Sequence, residues 1–454
     1  MSGYDSFKEL YIPAQTRIPA QWTVERFRNV FNLYKGLNIT KADLEDTGIP
    51  CVNYGEIHSR YGFEVKPETH KLRCVSDEYL KTSAKSLLRY GDFIFADTSE
   101  DIKGSGNFTY LNSNAPAFAG YHTIIARPLR QINHRYTAYW FDSIAYRQQV
   151  QSKVNGVKVY SITRSILNDT IIAFPSAGEQ DQIVRYLDWK VSQINRIINA
   201  KQRQIDLLGE QRRAIIKDAL DKGVGKWESP PLYSRYSVVL GKMLDTMKMT
   251  GQSPIPYLRN IDVQWDRINI TNLPIMDIYD YEYKRYTINK GDILVCEGGE
   301  AGRCAIVEDI DTIIGFQKAL HRLRPLSDRE NPRFLYYTML NAVVTGTFNT
   351  DKSTLLHLTG EKLRRQRFPM PPYIEQCSMA ESLDKQCSAI NSLVGRINSE
   401  IDLLHEFRTR LISDVVTGKH DICGVVIPEH ETVGENNNNC PVFDELTDET
   451  EELR

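Results

Sequence analysis

The chain has 454 residues, 41% of them hydrophobic, with 56 lysines and arginines against 58 aspartates and glutamates. That length suits two or three domains with real cores, and the net charge of -2 excludes the bulk basicity of a small nucleic-acid binder while leaving room for a basic face offset elsewhere. The 8 cysteines contain no C-x-x-C pair, which argues for reduced thiols in a cytosol and against a disulfide framework or zinc site, and no apolar run is long enough to span a membrane.

Residues 1–20 form an irregular lead with Pro13 and Pro19. From Trp22 short β-rich runs alternate with turn residues. Residues 49–54 read as a strand entering a loop, 91–96 as a turn and a buried strand, 97–107 as a polar loop, and 122–126 as another strand. Residues 133–150 read as one helix and Thr163 as the N-cap of a short one, and Phe174-Pro175 closes the first globular unit.

A long helix follows. Its seam positions recur at alternating steps of three and four, nine of the eleven apolar: Val184, Leu187, Val191, Ile194, Ile198, Lys201, Ile205, Leu208, Arg212, Ile215, Ala219. Such a 3.5-residue spacing predicts a coiled-coil seam rather than the wider stripe of a globular helix. The same seam returns with every number raised by 196, from Ala380 and Leu383 to Leu411 and Val415, with Arg408 in the place of Arg212. If the two helices pair antiparallel, each seam arginine is expected near the start of the opposite helix, by Glu381 or Asp181.

Between the helices the globular order also repeats. Ile255-Pro256-Tyr257-Leu258-Arg259-Asn260 answers Ile49-Pro50-Cys51-Val52-Asn53-Tyr54, Gly291-Asp292-Ile293 answers Gly91-Asp92-Phe93, and Asn331-Pro332-Arg333 answers Asn133-His134-Arg135. The expected layout is a first unit over 1–176, a helix over 177–223, a second unit over 224–372, a helix over 373–421 and an acidic, disordered tail over 422–454. The framework repeats while the loops differ, as expected of one task performed on two targets.

Catalytic patterns fail on inspection. Pro371-Pro372-Tyr373 resembles the loop with which amino-methyltransferases hold their target, but Met370 stands where Asp, Asn or Ser is needed, so a helix-entry turn is the expectation. The run from Gly346 to Ser353 places Asp351 at the second glycine of a phosphate loop. Gly298-Gly299-Glu300-Ala301-Gly302 lacks the spacing and following helix of a dinucleotide loop and reads as a tight turn whose backbone could also approach a phosphate. No Ser/His/Asp set, metal-ligand spacing or paired carboxylate stands out.

Two variable units, each closed by a Phe-Pro turn, a Glu-Gln pair (Glu179-Gln180, Glu375-Gln376) and a long helix, resemble the specificity subunit of a type I restriction–modification system. The resemblance covers about residues 20–421; the first copy departs at Ser176-Ala177-Gly178, where the family tends to prolines. It implies an α/β (α+β) fold: two mixed target recognition domains separated by two long antiparallel coiled-coil helices. It implies a non-catalytic, cytoplasmic protein of a bacterium or archaeon in which each unit reads half of a bipartite site on double-stranded DNA. Two methyltransferase (modification) subunits, which use S-adenosylmethionine, and ATP- and Mg-dependent translocase–endonuclease (restriction) subunits are the implied partners, with no cofactor or metal in this chain.

DNA readers need cations for phosphates and amide or guanidinium forks for base edges. The first unit offers Lys35, Lys41, Asn53, Tyr54, Arg60, Tyr61, Lys103, Asn107, Tyr121 and His122. The second offers Lys248, Arg259, Asn260, Lys284, Arg285, Arg303, Gln317 and Lys318, of which Arg259, Asn260 and Arg303 flank strand ends or the glycine turn. A protein-binding coiled-coil scaffold, or an enzyme with unrecognised motifs, are the alternatives at this point.

Overall fold

The computed structural model describes residues 4–14, 16–156, 159–245, 249–308, 310–348 and 357–434. The chain divides into two compact units, Met1–Gln202 with Asn398–Arg454, and Arg203–Ile397.

In the first unit a five-stranded sheet runs Phe31–Lys35, Thr123–Pro128, Phe93–Ala96, Phe108–Leu111, Phe63–Val65, antiparallel except for the last pair. The central strand is buried on both faces, so its residues are apolar throughout. Phe93 and Phe95 join a core with Trp140, Phe141, Leu187 and Ile412, while Ile94 and Ala96 join another with Val52, Ile57 and Ala119. One face of the sheet therefore meets the ends of the long helices. The other carries a small sheet in which Ile49–Val52 lies between Phe118–Ala119, parallel, and Arg73–Val75, antiparallel.

The second unit repeats this plan. A four-stranded sheet runs Tyr236–Leu240, Leu320–Pro325, Ile293–Cys296, Cys304–Ile306. Ile293 and Val295 pack with Leu220, Leu383 and Cys387, and Leu294 and Cys296 with Leu258 and Phe316. The small sheet is again one central strand, Pro254–Leu258, between a parallel Gly315–Phe316 and an antiparallel Ile275–Asp277.

Charged side chains lock each unit in the same way. Asp92 is 1% exposed and takes Arg127 through Nε at 3.0 Å and Nη2 at 2.6 Å, and its counterpart Asp292 takes Arg324 at 2.7 and 2.6 Å. The repeated Gly-Asp thus seats a buried carboxylate against an arginine on the adjacent strand. The Asn-X-Arg repeat joins sheet to long helix. Arg135 Nε and Tyr139 Oη both donate to Asp188 Oδ1 at 2.7 Å, and Arg333 Nε and Tyr337 Oη to Asp384 Oδ1 at 2.5 and 2.7 Å. Both Glu-Gln pairs open a helix: Gln180 and Gln376 each turn back to a proline carbonyl, Pro175 and Pro371, at 2.9 Å. Glu179 also accepts from Trp22 Nε1 at 3.0 Å. Pro371-Pro372 is accordingly the entry turn of the second helix.

The long helices span Ala177–Asp221 and Tyr373–Val416. Within the first unit they run antiparallel: Arg408 Nη1 donates to Asn195 Oδ1 at 2.8 Å, and Lys201 pairs with Glu400. Arg408 therefore faces Asn195 and not Asp181, which lies fourteen residues, or about 21 Å, nearer the helix start. In the second unit Arg212 Nε is buried without a hydrogen-bond partner among the described residues. Lys201 and Arg212 are the polar places of the first helix's seam, Ser192, Asn195 and Asn199 are buried beside it, and near the start of that helix the buried stripe widens to include Ile183 and Tyr186, because those turns pack on a globular core.

Two further expectations change. The helix expected over 133–150 is two, His134–Asp142 and Ile144–Gln151, because Ser143 leaves helical geometry at ψ 152 and its side chain accepts from Tyr146 N. Residues 422–434, expected to begin a disordered tail, lie along the first long helix. Ile422 is buried in the core, and Gln182, Asn195 and Asn199 donate to the carbonyls of Val425, Val433 and Gly434 at 2.8, 2.9 and 3.1 Å. Val433 N in turn donates to Ser192 Oγ at 2.9 Å. The apolar run Ile422, Val425, Ile427 supplies what the acidic composition beyond it hides. No helix among the described residues is long and apolar enough to cross a membrane.

Candidate nucleic-acid interface

The parallel strand pair in each small sheet brings two loops side by side at its carboxyl end. In the first unit Cys51 and Val52 are in register with Phe118 and Ala119, so the chain leaving toward Asn53 and Tyr54 emerges beside Tyr121 and His122. In the second unit Tyr257 and Leu258 match Gly315 and Phe316, setting Arg259 and Asn260 beside Gln317 and Lys318. A third segment crosses close by in both. A Cβ on Gly36 would lie 2.0 Å from Gly120 O, and one on Gly241 2.2 Å from Gln317 O, so only glycine allows the approach.

The two loop clusters differ in chemistry. The first is aromatic. Tyr54 meets Tyr121, His122 and His58 edge to face with ring centroids 5.6, 5.5 and 6.2 Å apart. His122 holds a left-handed backbone at φ 54° and its Nδ1 lies 3.1 Å from Asp97 Oδ1. The second is polar. Arg259 grips Asp262 through Nε at 2.9 Å and Nη2 at 3.0 Å while 38% of its side chain stays exposed. Asn260 Nδ2 donates to Gly298 O at 3.1 Å, and Arg303 Nη2 donates back to Asn260 O at 3.1 Å, tying the glycine turn to the strand end.

Several expected readers prove to be framework. Asn53 is 1% exposed; as N-cap of the helix Tyr54–Ser59 it turns its side chain inward, its amide reaching Cys51 O at 3.5 Å, and so lies out of reach of a groove. Asn107 is bound on both sides, accepting from Arg147 Nη1 at 2.7 Å and facing His58 Nδ1 at 2.8 Å. Arg303 has only 15% of its side chain exposed. Tyr61 stacks on His70 at 4.4 Å and donates to Lys71 O, apart from the Tyr54 cluster.

Lys35, Lys41, Arg60 and Lys103 are exposed in the first unit, and Lys284, Arg285 and Lys318 in the second. Lys248 lies outside the described residues. The residue types alone did not mark His58, Arg147 or Lys242; Lys242 is held by Glu282 at 2.5 Å over the rings of Tyr279 and Tyr286. Among the described residues no group of three His, Cys, Asp or Glu could hold a metal ion.

Arg259 and Arg303 separate by geometry into a surface cation and a brace. Arg259→Ala is expected to flatten the slope of log affinity against log salt by about one unit, as loss of one phosphate contact does. Arg303→Ala should weaken binding with the slope unchanged, because it frees the Asn260 backbone. A salt titration of DNA binding separates them, and an Arg259→Ala chain with wild-type affinity and slope would remove that residue from the interface.

Comparison with known proteins points the same way. A family profile described as type I restriction modification DNA specificity domain matches residues 19–207 and 249–403. The chain is 21% identical over 453 residues to the type I restriction enzyme MjaVIII specificity subunit of Methanocaldococcus jannaschii, covering 91% of this chain and 96% of that one. It is 30% identical over 92 residues to the EcoBI specificity subunit of Escherichia coli, which covers 20% of this chain and 19% of that protein. A chain in a structure of a type I restriction–modification complex superimposes with a TM-score of 0.64 at 15% identity, covering 89% of this chain and 99% of that chain.

Proposed function

Because the chain belongs to the type I restriction–modification DNA specificity family, we propose that each small-sheet loop cluster is a reading head for one half of a bipartite DNA site. As a specificity subunit the chain supplies recognition, not catalysis. The observation that carries the reading is one frame repeated with different side chains at the same strand ends. Asn53, Tyr54, Gly120 and Tyr121 stand in one copy where Arg259, Asn260, Gln317 and Lys318 stand in the other, with His122 following in the first. Phosphate contacts come from the exposed cations around each head, and base selection from the groups at the strand ends. The long helices set the distance between half-sites and dock two modification subunits, which bring S-adenosylmethionine chemistry; restriction subunits join for ATP-driven cleavage. This chain then needs no cofactor of its own.

The test is an exchange of heads. Replacing residues 231–368 by the matching segment of a relative cuts inside the bridge between Glu228 and Met370, so the host's junction survives. Methylated-adenine mapping in cells carrying the hybrid is expected to show one half-site changed and the other kept. A change in both halves would show that the units do not read independently.

A further inference from the structure

His58 lies behind Tyr54, and the hydrogen bonds around it leave one arrangement of protons. Arg147 can only donate, and its Nη1 lies 2.7 Å from Asn107 Oδ1. That fixes the amide: the oxygen faces Arg147, so the NH2 faces His58, 2.8 Å from Nδ1. Nδ1 must then accept, which puts the ring proton on Nε2, where Thr98 O accepts it at 2.9 Å. Arg147 is anchored in turn by Asp142 Oδ1 at 2.9 Å. The loop around residues 99–107 closes over the ring, with a Cβ on Gly104 falling 3.4 Å from His58 Cε1.

The relay Asp142, Arg147, Asn107, His58 ends against the Tyr54 ring. Tyr54 is otherwise touched by rings on a different segment, Tyr121 and His122, of which His122 is tethered to Asp97. A ring held between two fixed edges presents one orientation to whatever lies in front of it, and a site held by such a supporting layer discriminates better than a loose one. Among the described residues the second unit has no such cluster: the matching turn is the short helix Asn260–Asp262, with Ile261 64% exposed.

We propose that His58 is the positioning residue of the first reading head. Held in one tautomer by Asn107 and Thr98, it sets the Tyr54 edge and so determines base selectivity at one half-site without touching DNA. The proposal rests on the bipartite reading above.

The experiment selects duplexes from a randomised pool with the full chain assembled with its modification subunit, comparing wild type, His58→Ala, Arg147→Ala and the double variant. Thermal melting is followed in parallel. His58→Ala is expected to lower affinity for the wild-type site about tenfold and to relax base preference in one half-site only. Arg147→Ala should relax the same positions, and the double variant no more than His58→Ala, because both act through one relay. Unchanged selectivity in His58→Ala overturns the proposal, as does an equal loss at both half-sites that follows the melting temperature. A wild-type complex that selects no bipartite site would instead overturn the bipartite reading itself.

Discussion

Asp92→Ala is expected to cost the first unit about 3–5 kcal/mol, the range for removing one partner of a buried ion pair. Asp92 is 1% exposed and Arg127 only 12%. Without the carboxylate the guanidinium keeps the Leu87 carbonyl at 2.8 Å, and the Arg89 backbone N–H loses an acceptor at 2.9 Å. The charge cannot escape to water without opening the sheet between the strands Phe93–Ala96 and Thr123–Pro128. Asp92→Asn keeps the shape and one acceptor and should cost less. The double variant Asp92→Ala with Arg127→Leu should recover part of the loss, because no buried charge remains unpaired. Hydrogen exchange of strand amides reads each unit separately: Asp92→Ala should open the first unit's strands and leave Ile293–Cys296 protected, and Asp292→Ala should do the reverse. A loss under about 1 kcal/mol would mean that the Gly-Asp repeat does not brace the sheet.

Adding one heptad after Lys201 and another after Glu400 is expected to lengthen the spacer between half-sites and leave the half-sites themselves unchanged. These positions face each other across the helix pair, so the two insertions stay opposite and the seam keeps its phase. Each helix grows by about 10.5 Å, which matches roughly three base pairs at 3.4 Å each. Three base pairs also turn the duplex by roughly 100°, given about 10.5 pairs per turn, so insertions of one, two and three heptads should be compared to find the rotation the complex accepts. Methylation mapping gives the answer directly. A variant that assembles and still modifies sites with the original spacer would show that the helices do not measure the distance.

What could be read from the sequence was whatever repeats along the chain; what could not was whatever depends on neighbours in space. Gly91-Asp92 and Gly291-Asp292 announce themselves as a pair, yet their partners Arg127 and Arg324 are set by strand adjacency and carry no local signal. The sequence predicts one helix over 133–150 because helix-forming residues continue through Ser143, and a serine inside a helical pattern declares itself a cap only through its dihedral angles. Among the candidate readers the residue types were legible and the directions were not. Asn53 and Asn107 are good DNA ligands on paper, but an asparagine amide serves equally as a cap or a brace, and both turn inward. His58 carries no signal in the sequence because a lone histidine forms no pattern until Arg147, far along the chain, fixes the amide beside it.

The segment over residues 422–434 gives the duplicated chain a polarity. Ser192 and Asn195, which hold it, are 4% and 5% exposed, whereas the residues of the same type at the same places in the repeat, Ser388 and Asn391, are exposed. A protein gripping the long helices by that face therefore meets a surface dressed by residues 422–434 in one unit and, among the described residues, an uncovered one in the other. Two identical partner molecules would not find identical seats, and an assembly built on this chain could distinguish its left from its right before any DNA is bound.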